Sequence, residues 1–204
     1  MGMPRTSRRR RLSGPVPAGN RAGVVPAFAA HGTLAPMSDD ELDGRLAATS
    51  DRLAGLGNQL RAGEPWPLAE RFDHSPEADW GPREILAHLA EMLPYWLGEA
   101  ERILDSDDRP APFGRIATND VRLAIIERDR TLPLRELVAR VEVGIDRWRR
   151  RWAQLDETAR DRRGLHPARG ETTVTEVASL FVAGHLMDHL DQLGEAVGGD
   201  PTAG

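Results

Sequence analysis

The sequence predicts an all-α fold, a four-helix bundle that follows a disordered N-terminal tail. Three observations support this prediction. Four long stretches carry apolar residues at helical spacing along one face, and the segments between them are rich in Pro, Gly and charge. No stretch shows a convincing alternation of apolar and polar residues, the pattern typical of strands. Four amphipathic helices bury their apolar faces most simply against one another.

Composition excludes several classes of function. The chain has 204 residues, of which 40% are hydrophobic and 29% charged, as is ordinary for a globular protein. It has no cysteine, which excludes disulfides, cysteine zinc ligands and a cysteine nucleophile in this chain. Residues 1–36 hold six arginines and no acid, a charge of +6. Because the net charge of the whole chain is −5, the remaining residues carry about −11. That acidic body argues against nucleic-acid binding. No apolar run approaches the roughly 20 residues that span a bilayer, and we expect a cytoplasmic protein.

Residues 1–36 are rich in Arg, Pro and Gly and are predicted to be disordered. Three interpretations of this tail stay open. The first is an export signal, suggested by the run SRRRRL at 7–12, although the apolar core that such a signal requires is missing. The second is that the arginines bind anionic partners. The third is that Met37 is the natural start of the protein. In each case the domain is predicted to span 37–197, followed by a flexible tail at 198–204.

Helix-start signals place the first two helices. The sequence SDDE at 38–41 fits a capping box, in which the Ser and Glu side chains bond each other's backbone amides. It opens a predicted helix over about 39–62. Pro82 suits the first position of a second helix, since its missing amide proton costs nothing there. The apolar face of this second helix includes His88.

The second half of the chain predicts two more long helices. A short helix is expected at about 118–130, and Pro133 opens the third long helix. The loop at 159–172 carries His166, which we expect to face solvent. A second capping box at Thr173 opens the fourth long helix. The arginines near the end of the third helix are predicted to be a solvated face rather than a phosphate site.

Three histidines lie on inward helix faces. His185 and His189 are four apart, so they are offset by about 40° and one turn and can reach one point. With His88 from another helix they would make a three-imidazole site whose fourth position is open, the arrangement typical of catalytic metals. Neutral imidazole suits Zn, Ni, Fe or Cu rather than Mg or Ca. The alternative is that each histidine is a core residue bonded to a neighbour.

The residues around these histidines resemble a known family. The motifs are Trp80-x-x-Arg83-Glu84-Ile85-x-x-His88-Leu89, Gly164-x-His166-Pro167 with Gly170, and His185-x-x-x-His189-Leu190-x-Gln192-Leu193. Over about residues 40–195 the chain resembles the DinB-like (DinB/YfiT) superfamily. The resemblance implies a bundle of up-down-down-up topology and a divalent metal, typically zinc or nickel. It implies that His88, His185 and His189 are the metal ligands.

Side chains near the histidines are candidates to orient them. Glu84 lies one turn before His88, and Asp188 and Gln192 neighbour the second pair. Any of them could accept a hydrogen bond from the imidazole nitrogen that faces away from the metal. The alternative for each is an exposed side chain on the helix surface. Trp80 and Trp96 are predicted to be core residues rather than substrate platforms.

The resemblance leaves several functions open. Members resemble transferases or isomerases that use a low-molecular-weight thiol such as mycothiol or bacillithiol, and others resemble metal-dependent hydrolases. Absence of cysteine fits an external thiol, and all 27 basic residues being arginine fits a GC-rich bacterium. A non-catalytic protein that binds metal or a small ligand in stress response is a further hypothesis, as is a structural bundle without metal. The expected partner is a small-molecule substrate, and a homodimer is compatible with a bundle of this size.

Overall fold

The four long helices form where the spacing of apolar residues predicts them. A computed structural model describes residues 39–198 except 71, 73–76, 108 and 117–118. The elements are α1 (Asp39–Ala62), a 3-10 turn (Glu77–Asp79), α2 (Pro82–Leu104), β1 (Ala111–Pro112), α3 (Asp120–Asp129), α4 (Leu134–Trp152), α5 (Glu157–Arg160), β2 (Arg163–His166), β3 (Gly170–Thr173), α6 (Val174–Glu176), a π-helical segment (Val177–Gly184) and α7 (His185–Gly198). The predictions for Ser38 and for the tails at 1–36 and 199–204 lie outside the described residues.

The long helices pack in a ring. α1 contacts α4 and α7, and α2 contacts the same two helices. The helices that follow one another in the chain, α1 and α2, are therefore diagonal partners rather than neighbours. Between the four helices lies one apolar core, to which every predicted apolar face contributes. Trp80 and Trp96 are buried in it, as the sequence predicts.

Contacts near helix ends fix the direction of each helix. Asp43, at the start of α1, pairs with Arg149 at the end of α4 at 2.8 Å, so these two helices are antiparallel. Glu101, near the end of α2, pairs with Arg151 at 2.6 Å, so α2 and α4 are parallel. Trp96 of α2 stacks on Phe181, before α7, whereas the earlier His88 meets the later His185, so α2 and the last helix are antiparallel. The topology is up-down-down-up, which confirms the prediction.

Helix ends follow local chemistry. Pro82 occupies the first turn of α2, and the Glu84 carboxylate accepts a hydrogen bond from the Gly81 amide at 3.2 Å. Thr173 and Glu176 form the predicted capping box. These caps fix where α2 and α6 begin.

The expectation that the chain has no strands is wrong. β2 and β3 pair antiparallel with Arg163 opposite Thr173, and β1 pairs parallel with β2. β2 is difficult to predict from the sequence because its apolar residue is exposed and its polar residue is buried. Leu165 is 48% exposed whereas His166 is 5% exposed. A four-residue strand with that inversion shows no apolar alternation.

The fourth helix is also less regular than predicted. From Thr173 the backbone passes through α6 and eight residues of π-helix before α7 starts at His185. The π-helical segment buries most of its side chains, Phe181 among them. π-Helical turns occur mostly as short bulges, often at functional sites, and this one leads directly into the first histidine of α7.

Within the described part of the chain, none of the helices combines the length and the apolar character that a bilayer crossing requires.

The parallel packing of α2 and α4 depends on a glycine. A Cβ atom on Gly144 would lie 2.8 Å from the Cβ and Cδ1 atoms of Leu93. We expect Gly144→Ala to lower the free energy of unfolding by about 1–3 kcal/mol, because overpacking forces the two helices apart. Urea unfolding measures this change.

Gly98 provides the matched control. It is an exposed glycine within α2, and a Cβ there would meet nothing within 4 Å. Gly98→Ala should raise stability by about 0.5–1 kcal/mol, the ordinary helical gain over glycine. Equal responses to the two substitutions would contradict the close approach at Leu93.

Candidate metal centre

The three predicted histidines come together between α2 and α7. His88 extends from the second turn of α2, and His185 and His189 lie one turn apart at the start of α7. The Nε2 atoms of His88 and His185 are 2.8 Å apart. One nitrogen from each of the three rings lies within 4.8 Å of the others, and no other such group of His, Cys, Asp or Glu occurs among residues the structure describes.

Burial favours the neutral form of His88 and His189. It lowers the pKa of His88 well below the ordinary value of 6.5, and the Arg122 guanidinium and the other two imidazoles lower it further. Burial also lowers the pKa of His189, against the opposing effects of the Glu77 carboxylate and Gln192. At pH 7 both rings are therefore neutral, the form of imidazole that binds a metal.

Gln192 fixes the orientation of His189. Its Nε2 donates to the backbone carbonyl of Glu77 at 2.7 Å, so its Oε1 is left to accept from Nδ1 of His189 at 2.9 Å. An amide oxygen can only accept, so His189 carries its proton on Nδ1 and directs the Nε2 lone pair at the other histidines. Of the orienting side chains suggested by the sequence, Gln192 is thus in contact with a histidine.

Glu84 and Asp188 are the other two side chains that the sequence suggests as partners of the histidines. Glu84 is fully buried, and it accepts hydrogen bonds from the amides of Ala69 and Gly81 and from Arg130. It thereby ties the segment before α2 to the α3 end and performs neither of the roles suggested for it. Asp188 is exposed on α7. Among the described residues, Glu84 makes no hydrogen bond to an imidazole nitrogen, whereas the charge of the Asp188 carboxylate acts to raise the pKa of His189.

Sequence reasoning missed two charged residues at the site. Glu77, from the 3-10 turn, lies with its Oε2 3.7 Å from the Nε2 of His189. Arg122, from α3, is 4% exposed, pairs with the Glu77 carboxylate and approaches Nδ1 of His88 at 3.4 Å. Nothing in the sequence separates this arginine from the 26 others. Only the fold brings the 3-10 turn and α3 to the histidines.

Trp80 forms an apolar wall beside the histidines. Its ring lies 5.5 Å from the His88 ring and 6.4 Å from the His189 ring, centroid to centroid. Phe72 stacks on its outer face at 5.7 Å. These aromatic rings keep water from one side of the site and strengthen its electrostatic interactions.

The expectation that His166 faces solvent is wrong. β2 turns it inward between Phe113 and Phe181, at ring distances of 5.5 and 5.0 Å. Its Nδ1 accepts from the Ala168 amide at 3.2 Å, and burial lowers its pKa. His166 lies outside the group of three histidines and is a packed residue of the small sheet.

The donor set fits a divalent transition metal. Tetrahedral coordination with bonds of about 2.0–2.1 Å places ligand nitrogens roughly 3.3 Å apart. The Nε2 atoms of His88 and His185 are 2.8 Å apart, and one nitrogen of each ring lies within 4.8 Å of the others, so small movements of the rings would reach this spacing. The short contact between His88 and His185 requires a proton between them, and a metal there would displace it.

The comparison with protein families decides which group the protein belongs to. A family model described as the DinB superfamily matches residues 27–193, most of the chain. The chain is a member of the DinB superfamily. The family assignment agrees with the up-down-down-up bundle and with the sequence resemblance. No curated protein matches the chain.

The fold of this DinB-superfamily chain is similar to that of a solved structure, YfiT from Bacillus subtilis. The TM-score is 0.64 and the sequence identity 16%, and the match covers 81% of this chain and 91% of YfiT. YfiT is described as a probable metal-dependent hydrolase with an unusual four-helix bundle topology. At this identity the likeness shows the fold alone.

The neutral, buried histidines make stability depend on pH. We expect the metal-free protein to lose stability as pH falls below 6.5, the ordinary histidine pKa, because the unfolded chain then takes up protons more readily than the buried His88, His189 and His166 of the folded protein. Between pH 6.5 and 5.5 the loss from His88 should be about 1 kcal/mol, and His189 and His166 should add to it. Urea unfolding in the presence of a chelator measures it.

A variant with one fewer titrating group is the control. In His189→Gln the loss over this pH interval should be smaller than that of the wild type, because His88 and His166 still contribute. A wild-type stability that does not change between the two pH values would show that the folded protein accepts protons at these histidines.

Proposed function

We propose that the protein is a metalloenzyme in which His88, His185 and His189 hold one divalent ion, zinc or nickel. The observation that carries this proposal is the meeting of three imidazole nitrogens within 4.8 Å at a buried site. Three histidine ligands leave a fourth position for a reactant, the arrangement of catalytic rather than structural zinc. When bound, such an ion supplies Lewis acidity and lowers the pKa of a water or thiol that binds to it.

The protein's own groups prepare the site. Gln192 sets the proton position of His189, Trp80 excludes water from one side, and the pair formed by Arg122 and Glu77 places charges beside the histidines. These contacts hold the imidazoles in place before any ligand arrives, which reduces the reorganisation that the reaction would require.

We propose a small-molecule substrate and a nucleophile that enters from solution. Hydrolysis is the first candidate, and the description of YfiT as a probable metal-dependent hydrolase supports it. Transfer or isomerisation with an external thiol such as mycothiol is the second candidate. The absence of cysteine supports it, since the thiol would have to come from outside the chain. The Lys-free composition fits a GC-rich bacterium, in whose cytoplasm such a thiol would be present.

Metal content tests the proposal. Protein purified without chelator or a nickel column should contain about one zinc or nickel ion per chain by elemental mass spectrometry. His185→Ala should lose it, since removal of a ligand costs more than the roughly 10–100-fold in affinity that loss of an outer partner costs. His166→Gln, a change at a buried histidine outside the group, should retain the ion. Wild type that takes up neither zinc nor nickel would refute the metalloprotein.

The same samples distinguish the reactions. A hydrolase should cleave activated esters or amides without thiol, whereas a thiol transferase should conjugate an electrophile such as 1-chloro-2,4-dinitrobenzene only with mycothiol present. Either activity should require the ion and be absent from His185→Ala. Metal binding without turnover in either assay would favour the non-catalytic binding protein.

A further inference from the structure

Glu77 places a carboxylate beside the group of three histidines. It begins the 3-10 turn before Trp80, and its Oε2 atom lies 3.7 Å from Nε2 of His189. This nitrogen is the one that Gln192 leaves with a lone pair, so Glu77 faces the inner side of the ring rather than its outer edge. An orienting carboxylate would instead contact the outer nitrogen, Nδ1.

Two hydrogen bonds fix the position of Glu77. Arg122 donates to its Oε1, and Gln192 donates to its backbone carbonyl at 2.7 Å. Arg122 is itself buried, lies 5.4 Å from the Trp80 ring centre, and belongs to a helix that Asn119 caps. The guanidinium engages one carboxylate oxygen, and the other points towards the histidines.

Glu77 does not complete the ligand set. The group whose ligand atoms all lie within 4.8 Å of one another consists of the three histidines, and the Glu77 oxygens lie too far from at least one of them to join it. Its Oε2 is thus near His189 but set back from the common point of the three nitrogens. A group at that distance can contact something bound beside the histidines.

We propose that Glu77 is the proton acceptor for the reaction, with Arg122 as its positioning residue. This inference rests on the proposed function. A water or thiol that enters beside His189 donates a hydrogen bond to Oε2 of Glu77. Its O–H or S–H bond then breaks, the proton passes to Oε2, and the electron pair forms a bond from the oxygen or sulfur to an electrophilic carbon of the substrate. The bond from that carbon to the leaving group breaks, the leaving group departs with the electron pair of that bond, and the proton on Oε2 passes to it or to solvent. Arg122 holds Oε1 and so keeps Oε2 directed at the nucleophile.

An anion probe tests the placement without an assay of turnover. Cobalt(II) replaces the native ion and gives a visible spectrum, and azide titrates into the position that the histidines leave open. We expect Glu77→Gln to lower cobalt affinity by no more than the roughly 10–100-fold that loss of an outer partner costs, because Glu77 is not a ligand. Its azide affinity should rise at least about tenfold, because a negative charge beside the anion is removed.

Two variants control for charge and for folding. Asp79→Asn makes the same change of charge in the same turn at an exposed position, and azide affinity should stay at the wild-type value. Glu77→Asp keeps the charge, so its azide affinity should lie nearer to wild type than to Glu77→Gln. Once an activity is found, Glu77→Gln should lower kcat by about 10²–10⁴-fold with KM little changed.

The outcomes separate this inference from the proposed function. Wild type that binds no cobalt refutes the metal centre itself. If wild type binds cobalt, a loss of cobalt affinity in Glu77→Gln well beyond the roughly 100-fold that an outer partner accounts for would make Glu77 a ligand and overturn its role as acceptor. Unchanged azide affinity in Glu77→Gln, or an equal rise in Glu77→Asp, would also overturn it.

Discussion

The antiparallel packing of α2 against the last helix is the constraint on which the site depends. It sets the second turn of α2 opposite the first turn of α7, so His88 meets His185 and His189 in the interior. The stacked rings of Trp96 and Phe181, two turns further along α2, hold the two helices in this register at 4.4 Å. Three imidazoles in an apolar bundle would otherwise be costly to bury, and their mutual contacts and polar neighbours offset that cost.

Polar groups around the histidines form one connected set. The 3-10 turn contributes Glu77, α3 contributes Arg122 and α7 contributes Gln192, and each of these side chains bonds another member or a histidine. The connection matters because a buried polar network stabilises a unique arrangement only when its members are satisfied. It also links the segment before α2 to the last helix, so the geometry of the site and the closure of that end of the bundle depend on the same bonds.

The sequence predicts the helices and the triad because both leave periodic signals. The apolar spacing gives α1 its observed bounds of 39–62, and the four-residue interval between His185 and His189 places both on one face. The roles of Glu77 and Arg122 leave no such signal, since they arise from contacts between segments 45 residues apart. β2 is not predicted because it buries a histidine and exposes a leucine, the reverse of what hydrophobicity predicts.

X-ray absorption spectroscopy of the metal-loaded protein tests the central claim most directly, since it reports the ligands of the ion itself. The account predicts three imidazole nitrogens at about 2.0–2.1 Å, with the multiple scattering of histidine rings, together with a light atom at the remaining position. In His185→Ala any ion that still binds should show two imidazoles. A wild-type spectrum with carboxylate oxygens and fewer than two imidazoles would contradict the account, because it would place the ion away from His88, His185 and His189.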